Sequence, residues 1–169
     1  MITKIGARKG DTPARLIDYL ISPRRSGARL LETNLGGSLP RTWAQQIESV
    51  ARTYRPRQKG FVKHLILSFH PEDPVSNLDL QELVRFYLER MGYAEAPFVA
   101  LLHEDRAHKH IHIVTTPTTF DGKPVSESWD WPRSERVARE IEQRWGLRAV
   151  PSSREVGRSQ LEQSEIEAS

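Results

Sequence analysis

The 169-residue sequence contains no cysteine, which excludes disulfide bonds, a cysteine nucleophile and thiolate metal ligands. It has no run approaching the roughly 18 consecutive apolar residues of a membrane-spanning helix, and its first residues lack the apolar segment of a secretory signal peptide. No segment repeats another. These absences predict a protein with no membrane insertion, which we expect to find in the cytoplasm. The length suits a single domain.

Basic residues are concentrated in residues 1–63, although the net charge of the whole chain is only +3. This part holds 13 lysines and arginines against four acidic residues, so it carries +9 and the remainder carries −6. Two clusters fall in segments whose proline and glycine content is typical of loops, which can follow a phosphate backbone. We prefer a nucleic-acid partner to the alternative of ordinary solvated charge. The candidate phosphate contacts are Arg8, Lys9, Arg24, Arg25, Arg55, Arg57 and Lys59, with Arg106 and Lys109 further along the chain.

Hydrophobic periodicity predicts both strands and helices. Alternation with period two marks strands near residues 1–7, 29–34, 64–69, 98–103 and 110–114. Helical stripes begin near residues 13, 38, 76 and 133. The mixture predicts an α+β domain over residues 1–150, with a central, mainly antiparallel sheet and helices packed on it. We interpret residues 151–169, rich in Ser, Arg, Glu and Gln, as a flexible tail or the start of a linker to a further C-terminal region.

Four of the six histidines lie within ten residues, in and around the last predicted hairpin. His110 and His112 project from the same face because side chains two apart on a strand do so. His103 ends the neighbouring strand and can turn onto that face, so three imidazoles are predicted to converge on a divalent metal ion. Asp105 can accept a hydrogen bond from a ligand ring. The alternative is a histidine-rich surface hairpin, and His108, in the turn, is left out of the ligand set.

Three motifs, in chain order, resemble those of the HUH-superfamily DNA relaxases, the conjugation and plasmid-mobilisation nickases, and in particular their MobA-like mobilisation-protein branch. The first is a Tyr-Leu pair on a helix after the first strand, in residues 16–20. The second is a strand that ends in Ser-Phe before a proline turn, in residues 65–71, and the third is the histidine motif in residues 103–114. The resemblance covers about residues 1–147. One departure is that Thr115, Thr116 and Pro117 stand where family members often have an asparagine.

The resemblance implies an HUH endonuclease fold of the RRM or palm type. In such a site His103, His110 and His112 would hold Mg²⁺ or Mn²⁺, and Tyr19 would be the nucleophile. Ser68 would contact the DNA near the nick or orient the tyrosine. The implied reaction is a site- and strand-specific nick at a transfer origin through a 5′-phosphotyrosine intermediate, followed by rejoining. The implied setting is the bacterial cytoplasm, with single-stranded and origin DNA, relaxosome accessory proteins and a type IV secretion coupling protein as partners.

Two other classes of protein compete with this interpretation. Rolling-circle replication initiators and related transposases share the histidine pair but usually carry their tyrosine after it, whereas all four tyrosines here precede His103. The other alternative is a non-catalytic DNA-binding accessory module. Tyr19 itself could be a buried residue at the rim of an amphipathic helix, in which case Tyr54 is the second candidate nucleophile. Tyr87 lies on a predicted core stripe.

Overall fold

The structure, a computed structural model, describes residues 1–6, 11–24, 27–58, 61–104 and 108–150. The predicted tail at 151–169 lies outside these ranges. So do six of the predicted site residues, namely Arg8, Lys9, Arg25, Lys59, Asp105 and Arg106. The described elements, in chain order, are β1 (Ile2–Gly6), α1 (Pro13–Ile21), β2 (Arg29–Thr33), α2 (Pro40–Tyr54), β3 (Lys63–Phe69), α3 (Asn77–Met91), β4 (Phe98–Glu104), β5 (Lys109–Thr115) and α4 (Asp130–Trp145).

The five strands form one sheet in the order β1-β3-β5-β4-β2, and every neighbouring pair is antiparallel. The predicted α+β class and the antiparallel sheet are therefore confirmed. Strand β5 is central, so the segment with the most histidines is paired along both edges. No helix in the described part of the chain is long and apolar enough to cross a membrane.

Local sequence signals account for most of the helix ends. The Thr12 side chain caps α1 by accepting a hydrogen bond from the Arg15 amide, and Pro13 occupies the first helical turn. Helix α3 begins with a reciprocal capping box between Ser76 and Asp79, and ends at Gly92, whose φ of 88° suits a residue without a Cβ atom.

Helix α4 begins at Asp130, three residues earlier than the sequence pattern predicts. Trp129 precedes it with a φ of 57° and provides no side-chain cap. The first turn is held from outside the helix, because the ammonium group of Lys63 donates hydrogen bonds to Glu127 and Asp130 at 2.8 and 2.9 Å. A contact across more than 60 residues leaves no local signal, so the early start is not visible in the sequence.

Two hydrophobic clusters cover the two faces of the sheet. One face packs Leu65, Leu67, Ile111 and Ile113 against α3 and α4. The other packs Val99, Leu101 and Val114 under α1 and α2. The second face also carries five partly exposed polar side chains, His64, Ser68, His103, His110 and His112. We call this face of the sheet the histidine face. Alternation along the strands thus separates the main core from the candidate site.

Candidate active site

Strand register places the polar side chains of the histidine face next to one another. His110 lies opposite His103 of β4 on one side and opposite Ser68 of β3 on the other. His112 lies opposite Ile66 and Leu101 in the same way. Because directly opposite residues share a face, the three histidines of the predicted ligand set are brought together at the centre of the sheet.

The three imidazole rings form a nearly equilateral triangle. Their centroids are 6.0 Å apart for His103 and His110, 6.5 Å for His103 and His112, and 6.4 Å for His110 and His112. Rings bound to one ion through nitrogens about 2.1 Å from it would have centroids roughly 5 Å apart. In the positions shown, no group of three His, Asp or Glu side chains within the described ranges is arranged to hold an ion. A shift of each ring centroid toward the centre by roughly 0.7 Å would close the triangle.

Strand β3 holds two of these rings through the same ring atom. The Oγ atom of Ser68 lies 2.9 Å from Nδ1 of His110. The Nε2 atom of His64 lies 3.0 Å from Nδ1 of His112, and these two rings stack with their centroids 5.2 Å apart. Metal-binding histidines are usually held in this way through their second nitrogen. The arrangement therefore leaves Nε2 as the atom through which each ring would bind an ion, and the donor set fits a divalent metal.

The protonation of the central ring also suits a metal ligand. Burial lowers the pKa of His112 to about 4, and the neighbouring rings of His64, His110 and His103 act in the same direction. The ring is therefore neutral at pH 7, which is the form that binds a metal ion.

Tyr19 lies on a helix that covers the histidine face. Its side chain is 41% exposed, whereas Leu16, Ile17 and Leu20 of the same helix are buried against the sheet. Leu16, one turn before Tyr19 and therefore its neighbour on the helix surface, lines a cavity of about 230 Å³ together with His64 and Ile66. Helix α1 therefore packs beside His64, over the face of the sheet that carries the histidines.

Of the other three tyrosines, two are buried on the opposite face of the sheet and one packs against a glycine. The Tyr54 ring lies against the backbone of Gly122, where an added Cβ atom would stand 2.5 Å from it. Tyr87 is buried among α3 and α4 on the opposite face, and its hydroxyl is 2.7 Å from the hydroxyl of Ser134. Burial raises the pKa of Tyr87 to about 12 and raises that of the equally buried Tyr93 as well. Tyr19 and Tyr54 are thus the two exposed tyrosines, at 41% and 47%, and each lies on a helix that packs on the histidine face, whereas Tyr87 and Tyr93 are buried on the opposite face.

Of the four predicted phosphate contacts within the described ranges, three follow helices of the histidine face and one lies on the opposite face of the sheet. Arg24 follows α1, and Arg55 and Arg57 follow α2, so all three come directly after the helices of the histidine face. Lys109 does not lie on that face, because it alternates with His110. Its ammonium group donates a hydrogen bond to the Val75 carbonyl at 3.2 Å instead.

Sequence reasoning did not assign a role to His64, which the structure places in contact with His112. The available signal was its spacing of four residues from Ser68, which puts both side chains on one face of β3. Thr115, at the position of the departure from the family motif, lies at the far end of β5, where it is buried and donates a hydrogen bond to the Pro97 carbonyl at 2.8 Å.

One family model, the nuclease domain of the MobA/VirD2-like relaxases, matches residues 19–147. The match spans about three quarters of the chain and includes Tyr19, Ser68 and the three histidines of the predicted ligand set. Among curated proteins, none matches the chain. Because the family match covers well over half of the sequence and the α+β fold agrees with it, the chain belongs to the MobA/VirD2-like relaxases, a family of DNA-nicking endonucleases and transesterases.

Proposed function

We propose that this relaxase nicks and rejoins one strand of DNA at a transfer origin, with Tyr19 as nucleophile and with His103, His110 and His112 as the ligands of Mg²⁺ or Mn²⁺. Such a reaction would start the conjugative transfer or mobilisation of a plasmid. The observation that best supports the proposal is that β3 holds both rings of the histidine pair through Nδ1, beside the third ring. This organisation is typical of metal ligands and is unnecessary in a surface hairpin.

The proposed reaction exchanges one phosphodiester for another. The phenolic oxygen of Tyr19 forms a bond to phosphorus while the bond from phosphorus to the 3′-oxygen breaks. The tyrosine loses its proton and the departing 3′-oxygen gains one, which leaves a free 3′-hydroxyl and a 5′-phosphotyrosine. A divalent ion, when bound, supplies positive charge that stabilises the phosphate as negative charge develops on its oxygens. Because one phosphate ester replaces another, the step is reversible and the strand can be rejoined.

The remaining residues of the proposed site position these groups. Ser68, whose hydroxyl lies 2.9 Å from Nδ1 of His110, is proposed to orient that ring and to contact DNA beside the nick. Asp105 is proposed as a hydrogen-bond acceptor for a ligand ring. Arg24, Arg55 and Arg57 are proposed to contact phosphates, together with Arg8, Lys9, Arg25, Lys59 and Arg106 of the undescribed segments. Binding through these contacts would fall steeply with salt concentration. Relaxosome accessory proteins and a type IV secretion coupling protein are the proposed protein partners.

A covalent-adduct assay tests the proposal. Labelled single-stranded oligonucleotides that span the DNA next to the gene are incubated with the protein and Mg²⁺ or Mn²⁺, then separated under denaturing conditions. The wild type should form a denaturant-resistant adduct that Tyr19→Phe abolishes, because phenylalanine has no nucleophilic oxygen. Tyr54→Phe is the matched control, and it should form as much adduct as the wild type.

Two results would contradict the assignment in different ways. If the adduct persists in Tyr19→Phe and disappears in Tyr54→Phe, the nucleophile is wrong but the reaction stands. If no oligonucleotide gives an adduct with any of the metals while DNA binding is retained, the chain is a non-catalytic DNA-binding module. A metal panel in the same assay identifies the ion.

A further inference from the structure

A groove of about 470 Å³ adjoins the candidate active site at the edge of the sheet formed by β1. Its lining includes Ser68 and His110 of the histidine face, Ile2 and Lys4 of β1, and Arg148. Because Ser68 and His110 also belong to the proposed active site, the groove is continuous with that site.

The part of the groove formed by β1 combines an apolar side chain with a cation. Ile2 lies directly opposite Ser68 on the histidine face, and 48% of its side chain is exposed. Lys4 lies opposite Ile66, two residues further along the same edge strand, and its side chain is also exposed. A flat apolar contact beside an accessible ammonium group matches the chemistry of one nucleotide, which carries an apolar base face and an anionic phosphate.

The part of the groove formed by Arg148 is fixed to the rest of the fold. The Arg148 amide donates a hydrogen bond to Asp73 at 3.1 Å, and the amino terminus at Met1 lies 3.3 Å from the Arg148 carbonyl. The Arg148 guanidinium is paired with Glu72, which offsets its charge. Lys4 is therefore the better candidate for a phosphate contact, and Arg148 serves as part of the wall.

We propose that this groove binds one unpaired nucleotide of the DNA strand beside the scissile phosphate, with its base against Ile2 and its phosphate at Lys4. The inference rests on the proposed nicking function. A volume of about 470 Å³ lies within the range of small-ligand pockets, roughly 300–1,000 Å³, and is far too small for a duplex. A base stacked and paired in a duplex cannot present its face to Ile2, so the groove favours a strand that is already melted.

The test is a scan of abasic positions with a binding readout. The tightest-binding oligonucleotide of the adduct assay is resynthesised with a single abasic site at each position in turn, and its affinity is measured with Tyr19→Phe protein so that cleavage does not interfere. Covering the exposed half of an isoleucine corresponds to about a 3- to 12-fold change in affinity. We expect a penalty of this size at one position beside the nick.

The same penalty should disappear in Ile2→Ala, because the abasic site and the truncated side chain remove the same contact. Lys4→Ala should reduce the slope of binding affinity against salt by about one phosphate contact. Leu78→Ala is the matched control, since this leucine of α3 is 73% exposed and lies outside the groove. It should leave both the abasic profile and the salt slope unchanged, and thermal unfolding checks that every variant is folded.

A flat abasic profile beside the nick would overturn the proposal, and so would a penalty of equal size in Ile2→Ala and the wild type. Either result leaves the nicking function intact if wild-type protein still forms its adduct with the same oligonucleotides. Failure of the adduct assay with a positive abasic profile would instead retain the nucleotide-binding groove and refute the nicking function.

Discussion

Removing either β3 side chain that holds the histidine pair should weaken the binding of a divalent ion. Ser68→Ala removes the partner of His110 at 2.9 Å, and His64→Ala removes the partner of His112 at 3.0 Å. Both distances are those of ordinary hydrogen bonds. Each bond contributes a net of about 1 kcal/mol, and loss of such supporting contacts typically lowers metal affinity about 10- to 100-fold.

The structure ranks the two effects. His64 contributes a stacked ring with a centroid distance of 5.2 Å in addition to its hydrogen bond, whereas Ser68 contributes only a hydroxyl. We therefore expect Ser68→Ala near the lower end of the 10- to 100-fold range and His64→Ala nearer the upper end. At pH 7.5 the His112 ring is neutral, because its pKa is lowered to about 4. The loss in His64→Ala thus reports the orientation of the His112 ring rather than competition with protons.

Isothermal titration calorimetry with Mn²⁺ at fixed ionic strength measures the effect without DNA. Ser68→Thr keeps the hydroxyl and His64→Gln keeps a hydrogen-bonding group, so both should recover most of the lost affinity. His70→Ala removes an imidazole whose Nδ1 accepts only a local bond from the Glu72 amide within the same exposed turn, and it should bind Mn²⁺ within about twofold of the wild type.

Unchanged affinity in both Ser68→Ala and His64→Ala, in folded protein, would refute the reasoning that β3 orients the ligand rings. A different result is also informative. If His64→Ala abolishes binding as completely as His112→Ala does, and His64→Gln gives no recovery, then His64 is itself a ligand and the proposed set of three is wrong.

Three further changes test the fold that carries the site, each by urea unfolding. Gly122→Ala should cost about 1–3 kcal/mol, because φ is +85° and the new Cβ atom would meet the Tyr54 ring; Tyr54→Ala should restore part of the loss. Lys63→Met should lower the free energy of unfolding by about 1–3 kcal/mol, because it leaves two partly exposed carboxylates without their ammonium partner. Burial acts to lower the pKa of Lys63, but its two hydrogen-bonded carboxylates outweigh burial and raise it above 10.5, so the Lys63→Met difference should hold below about pH 10 and shrink as pH rises further. Ser76→Ala removes the N-cap of α3 and should cost about 1 kcal/mol, with no change in Mn²⁺ affinity.

The elements of the fold were largely predictable because their signals are local. Alternation of Leu65, Leu67 and Phe69 with His64, Ile66 and Ser68 predicts β3 and its two faces. The helix ends at Thr12 and Gly92 follow from capping and left-handed backbone preferences. The same alternation placed His110 and His112 on one face. Short-range periodicity is sufficient for these features, since each depends on residues only a few positions apart.

Contacts between distant segments were not predictable in the same way. The pairing of His64 with His112 depends on the register of β3 against β5, which is set by packing across 48 residues of sequence. The start of α4 depends on Lys63 in the same manner. Lys109 differs from these cases, because its alternation with His110 is readable from the sequence and places it on the opposite face of the sheet. Its phosphate contact stays a prediction.

The register that assembles the candidate site is protected by the core on the other side of the sheet. A slip of β3 by one residue against β5 would turn Ser68 and His64 into the apolar layer under α3 and α4 and would expose Leu65 and Leu67. Both leucines are fully buried, and exposing each would cost about 1.5–3 kcal/mol. The hydrophobic face therefore stabilises the one register in which β3 reaches Nδ1 of both histidines. The three half-buried imidazoles at the centre of the sheet are thus gathered in a register that the opposite, apolar face selects.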